Sequence, residues 1–319
     1  LLTALCLSAN VLTSQAQVTT SGMNGSVTDG KEPLIGATVR ITHVPSGTEY
    51  DATTNINGRY SVQGMRTGGP YKIEITYIGY KKTVFNNVNL SLGDNYVLNA
   101  KLAEDEGQIG EVVVLGNGTK FSGTKTGAAT NVRSSTLNTL PSISRSLSDF
   151  TKLSPYAGAS NSFGGLDSRM NNITIDGANF NNNFGLTSAT MPGGGSPISL
   201  DAIDEMQINI APFDVRQANF IGAGINAITK SGTNTFHGTA YTYMRNEHLR
   251  GNKIDGTDLG ERPQEQKNTY GFTLGGPIIK NKLFFFVNGE YERAPKPIFK
   301  WHVSQDGVGS DADLISRPT

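Results

Sequence analysis

Cysteine is nearly absent: the one residue, Cys6, lies in a leading stretch, Leu1 to Ala16, that carries no charged side chain and is rich in Leu and Ala. Such a stretch reads as the apolar region and cleavage site of a secretory signal peptide, clipped of its initiator Met and basic start. Ser14 and Ala16 are the small residues expected before the cut, which would leave Gln17 as the mature start. The mature chain would then hold no cysteine, which excludes a disulfide framework and any thiolate metal site. Also lacking is any later run of about 18 apolar residues, so no transmembrane helix is expected. An exported chain of this kind either stays in solution or enters a membrane as β-strands, whose signal per segment is weak. Nor is there an excess of charge. Lys+Arg and Asp+Glu are both 27, without the basic footprint of a general nucleic-acid binder.

Catalytic signatures are missing as well. His43, His237, His248 and His302 are scattered without metal-site spacing, and lone strand or surface histidines are the simpler reading. No nucleophile elbow and no Walker loop occur. Gly222-Ala223-Gly224-Ile225-Asn226-Ala227 imitates a dinucleotide loop. That loop needs a helix after it, and here Ile228-Thr229-Lys230-Ser231-Gly232 reads as a strand and a turn. Asp167, Asp176, Asp201 and Asp204 lack the spacing of a calcium loop. The expectation is therefore a non-enzyme with no catalytic residue, no metal and no cofactor.

What the sequence does hold is glycine, 38 of 319 residues, above the usual ~7% and without a period of three. Glycine-rich turns between short periodic runs predict a mainly β chain. From Val18 to Leu102, Ala37, Val39 and Ile41 alternate with Thr38, Arg40 and Thr42. Asn57-Gly58 marks a tight turn, and Tyr71, Ile73, Ile75 and Tyr77 alternate with Lys72, Glu74 and Thr76. Evenly spaced short strands of this kind predict a small antiparallel sandwich. An acidic stretch, Glu104-Asp105-Glu106, leads to Glu111-Val112-Val113-Val114, a β-former able to add to a sheet edge. Composition then turns to Gly, Asn, Ser and Thr. Met206, Ile208 and Ile210 form a short period-two strand, and Asn179-Phe180-Asn181-Asn182-Asn183-Phe184 reads as a polar-aromatic loop.

Several of these motifs resemble known modules. Gly25-Ser26-Val27-Thr28-Asp29, Pro33 to Val39, Asn57-Gly58-Arg59-Tyr60 and Tyr77-Ile78-Gly79-Tyr80 are similar to the carboxypeptidase-regulatory-like domain. The resemblance implies a non-catalytic transthyretin/Ig-like β-sandwich. Ile175-Asp176-Gly177, Asp204 to Ile208, and the run from Gly222 and Gly224 through Asn226 to Thr229 and Lys230 resemble the plug of TonB-dependent outer-membrane receptors, in family order. Ala211 to Gln217 departs from the short Gly-Pro turn of many plugs and fits the SusC/Oar-like branch better. In that branch a Glu-Val-Val-Val segment between module and plug resembles the TonB box, so Glu111, Val112, Val113 and Val114 are the box residues the resemblance implies.

After Asn234 the alternation takes the form a bilayer strand needs. Tyr270, Phe272 and Leu274 share one face opposite Thr269, Gly271, Thr273 and Gly275. Leu283, Phe285, Val287 and Tyr291 share a face opposite Asn288, Glu290 and Glu292, with Phe284 and Phe286 as apolar exceptions. A long polar stretch, Asn246 to Lys267, follows the first strand, and only Pro277 to Lys282 joins the next two, the order of an outer loop and a periplasmic turn. The run ends after about three strands where a plugged barrel takes about 22, so a truncated barrel is expected.

The expected order is a clipped signal peptide (1–16), a carboxypeptidase-regulatory-like β-sandwich (17–103), a linker with the box (104–117), an α+β plug domain (118–234) and the first strands of a transmembrane β-barrel (235–319). The resemblance implies an outer-membrane protein of a Gram-negative, Bacteroidetes-type cell, with its N-terminal domains in the periplasm. It further implies energy-coupled uptake of a glycan, peptide or iron chelate, with Asn179 to Phe184 as a substrate-facing loop. Its implied partners are TonB with ExbB/ExbD, outer-membrane lipid, the unidentified substrate and, left open, a surface lipoprotein. Nucleic acid is not among them. The alternative is a secreted or surface β-sandwich adhesin that binds carbohydrate. A signalling receptor would carry a different N-terminal domain.

Overall fold

The structure is a computed structural model that describes residues 18–105, 112–115, 128–140, 145–181, 198–212, 217, 220–249, 251, 253–258, 266–295, 298–301 and 314–317. The expected signal peptide, Glu111 and the segment 182–197 lie outside these residues. The chain divides into two compact units, one of residues 1–236 with 276–285, the other of 237–275 with 286–319.

The first unit opens with a β-sandwich. Its strands are β1 (Ser21–Thr28), β2 (Thr38–His43), β3 (Thr48–Thr53), β4 (Arg59–Met65), β5 (Gly68–Thr76), β6 (Thr83–Leu90), β7 (Asn95–Val97), β8 (Ala100–Lys101) and β9 (Val112–Leu115). One sheet runs β4-β1-β7 with β8 also on β1, the other β3-β2-β5-β6-β9. Alternation decides the faces: Val39, Ile41, Ile73, Ile75 and Phe85 enter a core with Met23, Met65, Tyr71 and Leu90, while Arg40 pairs with Asp51 outside at 3.0 Å. Burying each such aliphatic side chain stabilises by roughly 1.5–3 kcal/mol. The Asn57-Gly58 turn closes as expected, the Asn55 side chain accepting from Asn57 N at 2.9 Å and Arg59 N at 3.0 Å. His43 is a strand histidine whose Nδ1 lies 2.6 Å from Ser46 Oγ, and burial pushes its pKa down to about 4.

One expectation needs correction. The sandwich is mixed rather than antiparallel, because β7 and β8 both run parallel to β1, and β9 runs parallel to β6. Crossover pairings of this kind follow from chain return and leave no local trace in strand patterning.

A second core in the same unit surrounds a five-stranded mixed sheet, ordered β10-β13-β14-β11-β12. These strands are β10 (Ala129–Arg133), β11 (Asn172–Ile175), β12 (Ala178–Asn179), β13 (Ile203–Asn209) and β14 (Gly224–Thr229), with short helices at Ser134–Thr139 and Leu147–Thr151. Val132, Leu147, Phe150, Phe163, Ile173, Met206, Ile208 and Ile225 fill the core. Period two holds for Met206 and Ile208, but β13 stops at Asn209 and Ile210 lies beyond it. The opposite face is buried too. It carries polar groups that bond to one another, such as Thr174 Oγ1 to Asn226 Oδ1 and Asn209 Nδ2 to Gln207 Oε1, the latter at 2.9 Å.

The remaining strands are β15 (His237–Asn246), β16 (Lys253–Ile254), β17 (Thr257–Asp258), β18 (Gln266–Ile279), β19 (Leu283–Arg293), β20 (Ile298–Trp301) and β21 (Leu314–Arg317). β15, β18 and β19 form one sheet, with β15 antiparallel to β18 from His237↔Gly275 to Asn246↔Gln266. The expected connection from Pro277 to Lys282 is shorter in the structure. β18 continues through Pro277 to Ile279, and the turn is Lys280-Asn281-Lys282. Pro277 is tolerated in a middle strand because pairing with β15 ends at Gly275, so its missing N–H leaves no gap in that ladder. The long stretch after β15 contains the small β16–β17 hairpin.

Candidate functional site

The three motif groups singled out in the sequence come together in space at one end of the mixed sheet. Asp176 and Gly177 form the two-residue turn between β11 and β12, with φ of 49° and 84°. Asp-Gly suits this turn because Asp tolerates the left-handed region and Gly enters it freely. The Asp176 carboxylate then reaches the end of β14. Oδ1 accepts from Thr229 N at 2.9 Å and Oδ2 from Thr229 Oγ1 at 2.7 Å. Lys230 N donates to Ala202 O at 2.7 Å, which ties the same strand end to the start of β13. Two motifs 53 residues apart in sequence are thus one clasp.

The other end of β14 is held through asparagine. Asn171 Oδ1 accepts from Ala223 N at 3.0 Å, and Asn171 Nδ2 donates to Asn161 O at 2.8 Å. That side chain fills the space beside Gly222, where a Cβ would collide with Asn171 Oδ1, so the position admits only glycine without a shift. Gly224 opens β14 against the Phe220 ring, and Asn226 lies mid-strand on Thr174.

The predicted substrate-facing loop divides. Asn179 belongs to β12 and is exposed. Phe180 packs against the sheet's core, and Asn181 Oδ1 accepts from Ile173 N at 2.7 Å while its Nδ2 donates to Asn172 Oδ1 at 2.7 Å. These two side chains therefore have inward structural roles. Asn182, Asn183 and Phe184 lie outside the described residues. Of the residues expected to form the box, Val112, Val113 and Val114 lie in β9 with Leu115 on the sandwich edge, and Glu111 is outside the described residues.

A joint between sandwich and mixed sheet was not foreseen. Leu92, fully buried, offers its carbonyl to Gln207 Nε2 at 2.6 Å and Asn131 Nδ2 at 3.4 Å, and Arg133 Nη2 donates to Ser91 Oγ at 2.9 Å. Beside them Glu205 is 2% exposed. Burial raises its pKa to about 7, offset in part by the Leu92 backbone and by Arg133 at 4.0 Å. Asp204 next to it is also raised by burial, against the pull of Lys230 and Arg133. Alternation of Glu205 and Gln207 with Met206 and Ile208 was visible, but nothing local names a partner more than a hundred residues away.

In the three-stranded sheet the apolar row is on the open side. Tyr270, Phe272 and Leu274 are 45%, 49% and 46% exposed, whereas Thr269 and Thr273 on the other face are 6% and 8% exposed. Thr239 and Thr273 join across that inner face at 2.7 Å, and Tyr241 Oη donates to Glu290 at 2.7 Å.

Residues 22–103 match the carboxypeptidase regulatory-like domain family, and residues 228–298 match an outer membrane beta barrel domain family. Over 294 residues, 86% of the chain, it is 26% identical to the TonB-dependent transporter Oar of Myxococcus xanthus. The chain is a TonB-dependent transporter homologue. It spans 27% of the length of that relative. Among solved structures it is similar to the siderophore receptor PirA from Acinetobacter baumannii, with 18% identity over 52% of this chain and 24% of that chain, at a TM-score of 0.40. The outer membrane transporter YddB from Escherichia coli gives 20% identity over 59% and 29%, at 0.39. The homologue is an outer-membrane, mainly β protein.

Proposed function

We propose that the chain forms the periplasmic and gating portion of an energy-coupled outer-membrane transporter. The observation that carries this reading is the outward apolar row of β18, with Thr269 and Thr273 buried behind it. A soluble sandwich turns its apolar row inward; a strand in lipid turns it outward and keeps the polar row inside. No observation favours the secreted adhesin in the same way.

In this reading residues 17–103 are the regulatory-like sandwich, 104–117 the linker with the box, 118–234 the plug and 235–319 the first part of the barrel. TonB, driven through ExbB/ExbD, captures Glu111 to Val114 by strand addition and pulls. The clasp of Asp176 on Thr229 keeps the plug sheet intact under that load. A glycan, peptide or iron chelate then passes, with Asn179 and the segment Asn182 to Phe184 facing it, and a surface lipoprotein can cover the outer side. The protein catalyses no reaction and needs no cofactor.

The test is uptake by the full-length protein carrying Val113→Pro, assayed over a panel of glycans, peptides and ferric chelates. The substitution removes one strand N–H. Uptake is expected to fall to that of cells lacking TonB, at an unchanged amount of protein in the outer membrane. Uptake equal to the unsubstituted protein would overturn the assignment of the box.

A further inference from the structure

β9 makes a contact that closing the sandwich does not require. After β8 the chain is held near Tyr80, with Lys81 N donating to Ala103 O at 2.9 Å and Asp105 N to Gly79 O at 3.0 Å. It returns at Val112 and runs parallel along β6, so that Thr83, Val84, Phe85 and Asn86 stand opposite Val112, Val113, Val114 and Leu115. Without this segment β6 would end its sheet. A bare end strand presents a row of unpaired backbone groups, an invitation to any extended partner.

Burial supplies an independent observation. Between β5 and β6, Ile75 and Ile73 stand opposite Thr83 and Phe85 on the core side, and Glu74 stands opposite Val84 on the outer side. That outer face is polar, with Glu74 held by Lys72 at 2.7 Å and Lys82 at 3.0 Å. Val84 is not among the residues that pack the sandwich core, yet its exposure is 0%. On an uncovered edge such an outward valine would stand in water; here it is buried, and the residue opposite it in the β9 register is Val113.

We propose that the β6 edge is a resting receptor for the chain's own Val112–Leu115 segment, and that docking there competes with capture of the segment by TonB. The proposal rests on the reading of Glu111 to Val114 as the TonB box. A four-residue strand gains few backbone bonds and must be ordered to make them, so docking stands near balance. The tether from Asp105 to Val112 is short, which keeps closure inexpensive and the local concentration of the strand high. The result is an exchangeable mask, occupied at rest and released to a partner that offers a better edge. A partner that reads both backbone and alternate side chains needs the segment clear of the β6 edge.

The experiment is hydrogen exchange on the full-length protein in detergent, with and without the purified periplasmic domain of TonB, beside a binding titration. Val84→Lys serves as the variant, because it places a charge at the buried outer position and leaves the core residues alone. TonB is expected to protect amides 112–115 and to speed exchange at 83–86, the vacated edge. Val84→Lys is expected to tighten TonB binding by about threefold or more, since the apparent constant is the intrinsic one divided by the free fraction. Protection of 112–115 with unchanged exchange at 83–86 and an unchanged constant for Val84→Lys would overturn the mask and leave the box standing. Binding of TonB without protection of 112–115 would overturn the box, and the mask with it.

Discussion

Asp176 shows how one side chain gives a motif its meaning. Ile175-Asp176-Gly177 is a turn in sequence terms, but the carboxylate also satisfies the backbone and hydroxyl of Thr229 at the far strand end. Asp176→Ala removes both acceptors and the residue that tolerates the left-handed turn, and is expected to lower stability by about 2 kcal/mol, read as a shift in urea midpoint. Asp176→Asn keeps the turn and one acceptor, and is expected to lose about half as much. Equal midpoints for Asp176→Ala and the unsubstituted chain would remove the clasp. Other residues were legible in type but not in role. Phe180 and Asn181 have the look of a ligand loop, yet an aromatic ring beside a core and an amide beside an unpaired strand N–H are drawn inward.

At the scale of the element, β18 is the best-read part of the chain. Its period-two pattern was plain, and the structure turns the apolar row outward as a lipid-facing strand requires. Leu274→Arg in the full-length protein is therefore expected to destabilise the membrane-inserted form by on the order of 2 kcal/mol or more, with a reduced folded amount in the outer membrane. Thr273→Lys, on the inner face, is expected to have the smaller effect. The reverse order would place the apolar row inside. Elements built on long-range pairing were harder to read. Nothing local marked β7, β8 and β9 as parallel partners, and β12 is only two residues long, too short for any periodic signal.

At the scale of the whole molecule, the sandwich and the mixed sheet meet at Leu92, Gln207 and Asn131 over a buried Glu205. The charged groups around that carboxyl are Arg133, Asp204 and Asp94. Burial dominates and raises the pKa from 4.5 to about 7. A raised folded pKa means that the folded form holds the proton more tightly than the unfolded chain does. The contribution is complete below about 4.5 and is lost as pH rises to about 7. The loss is on the order of 3 kcal/mol at most. Unfolding followed between pH 4 and 8 should therefore show stability falling across that window, and Glu205→Gln should flatten the fall. A slope that persists in Glu205→Gln would assign the dependence to other groups.

The sequence by itself determined the class of this protein: strands of period two, glycine-rich turns, a sandwich module and apolar rows of a length suited to a bilayer. These are properties of neighbouring residues, and the backbone's two-residue repeat writes them directly into the order of the chain. Only the tertiary structure decided that Asp176 holds Thr229, that Glu205 lies buried against the Leu92 turn, and that Val112–Leu115 lies along β6. Each of these joins segments that the chain brings together by folding back on itself. Which donor meets which acceptor then depends on the packing of two cores, and no spacing along the sequence encodes it.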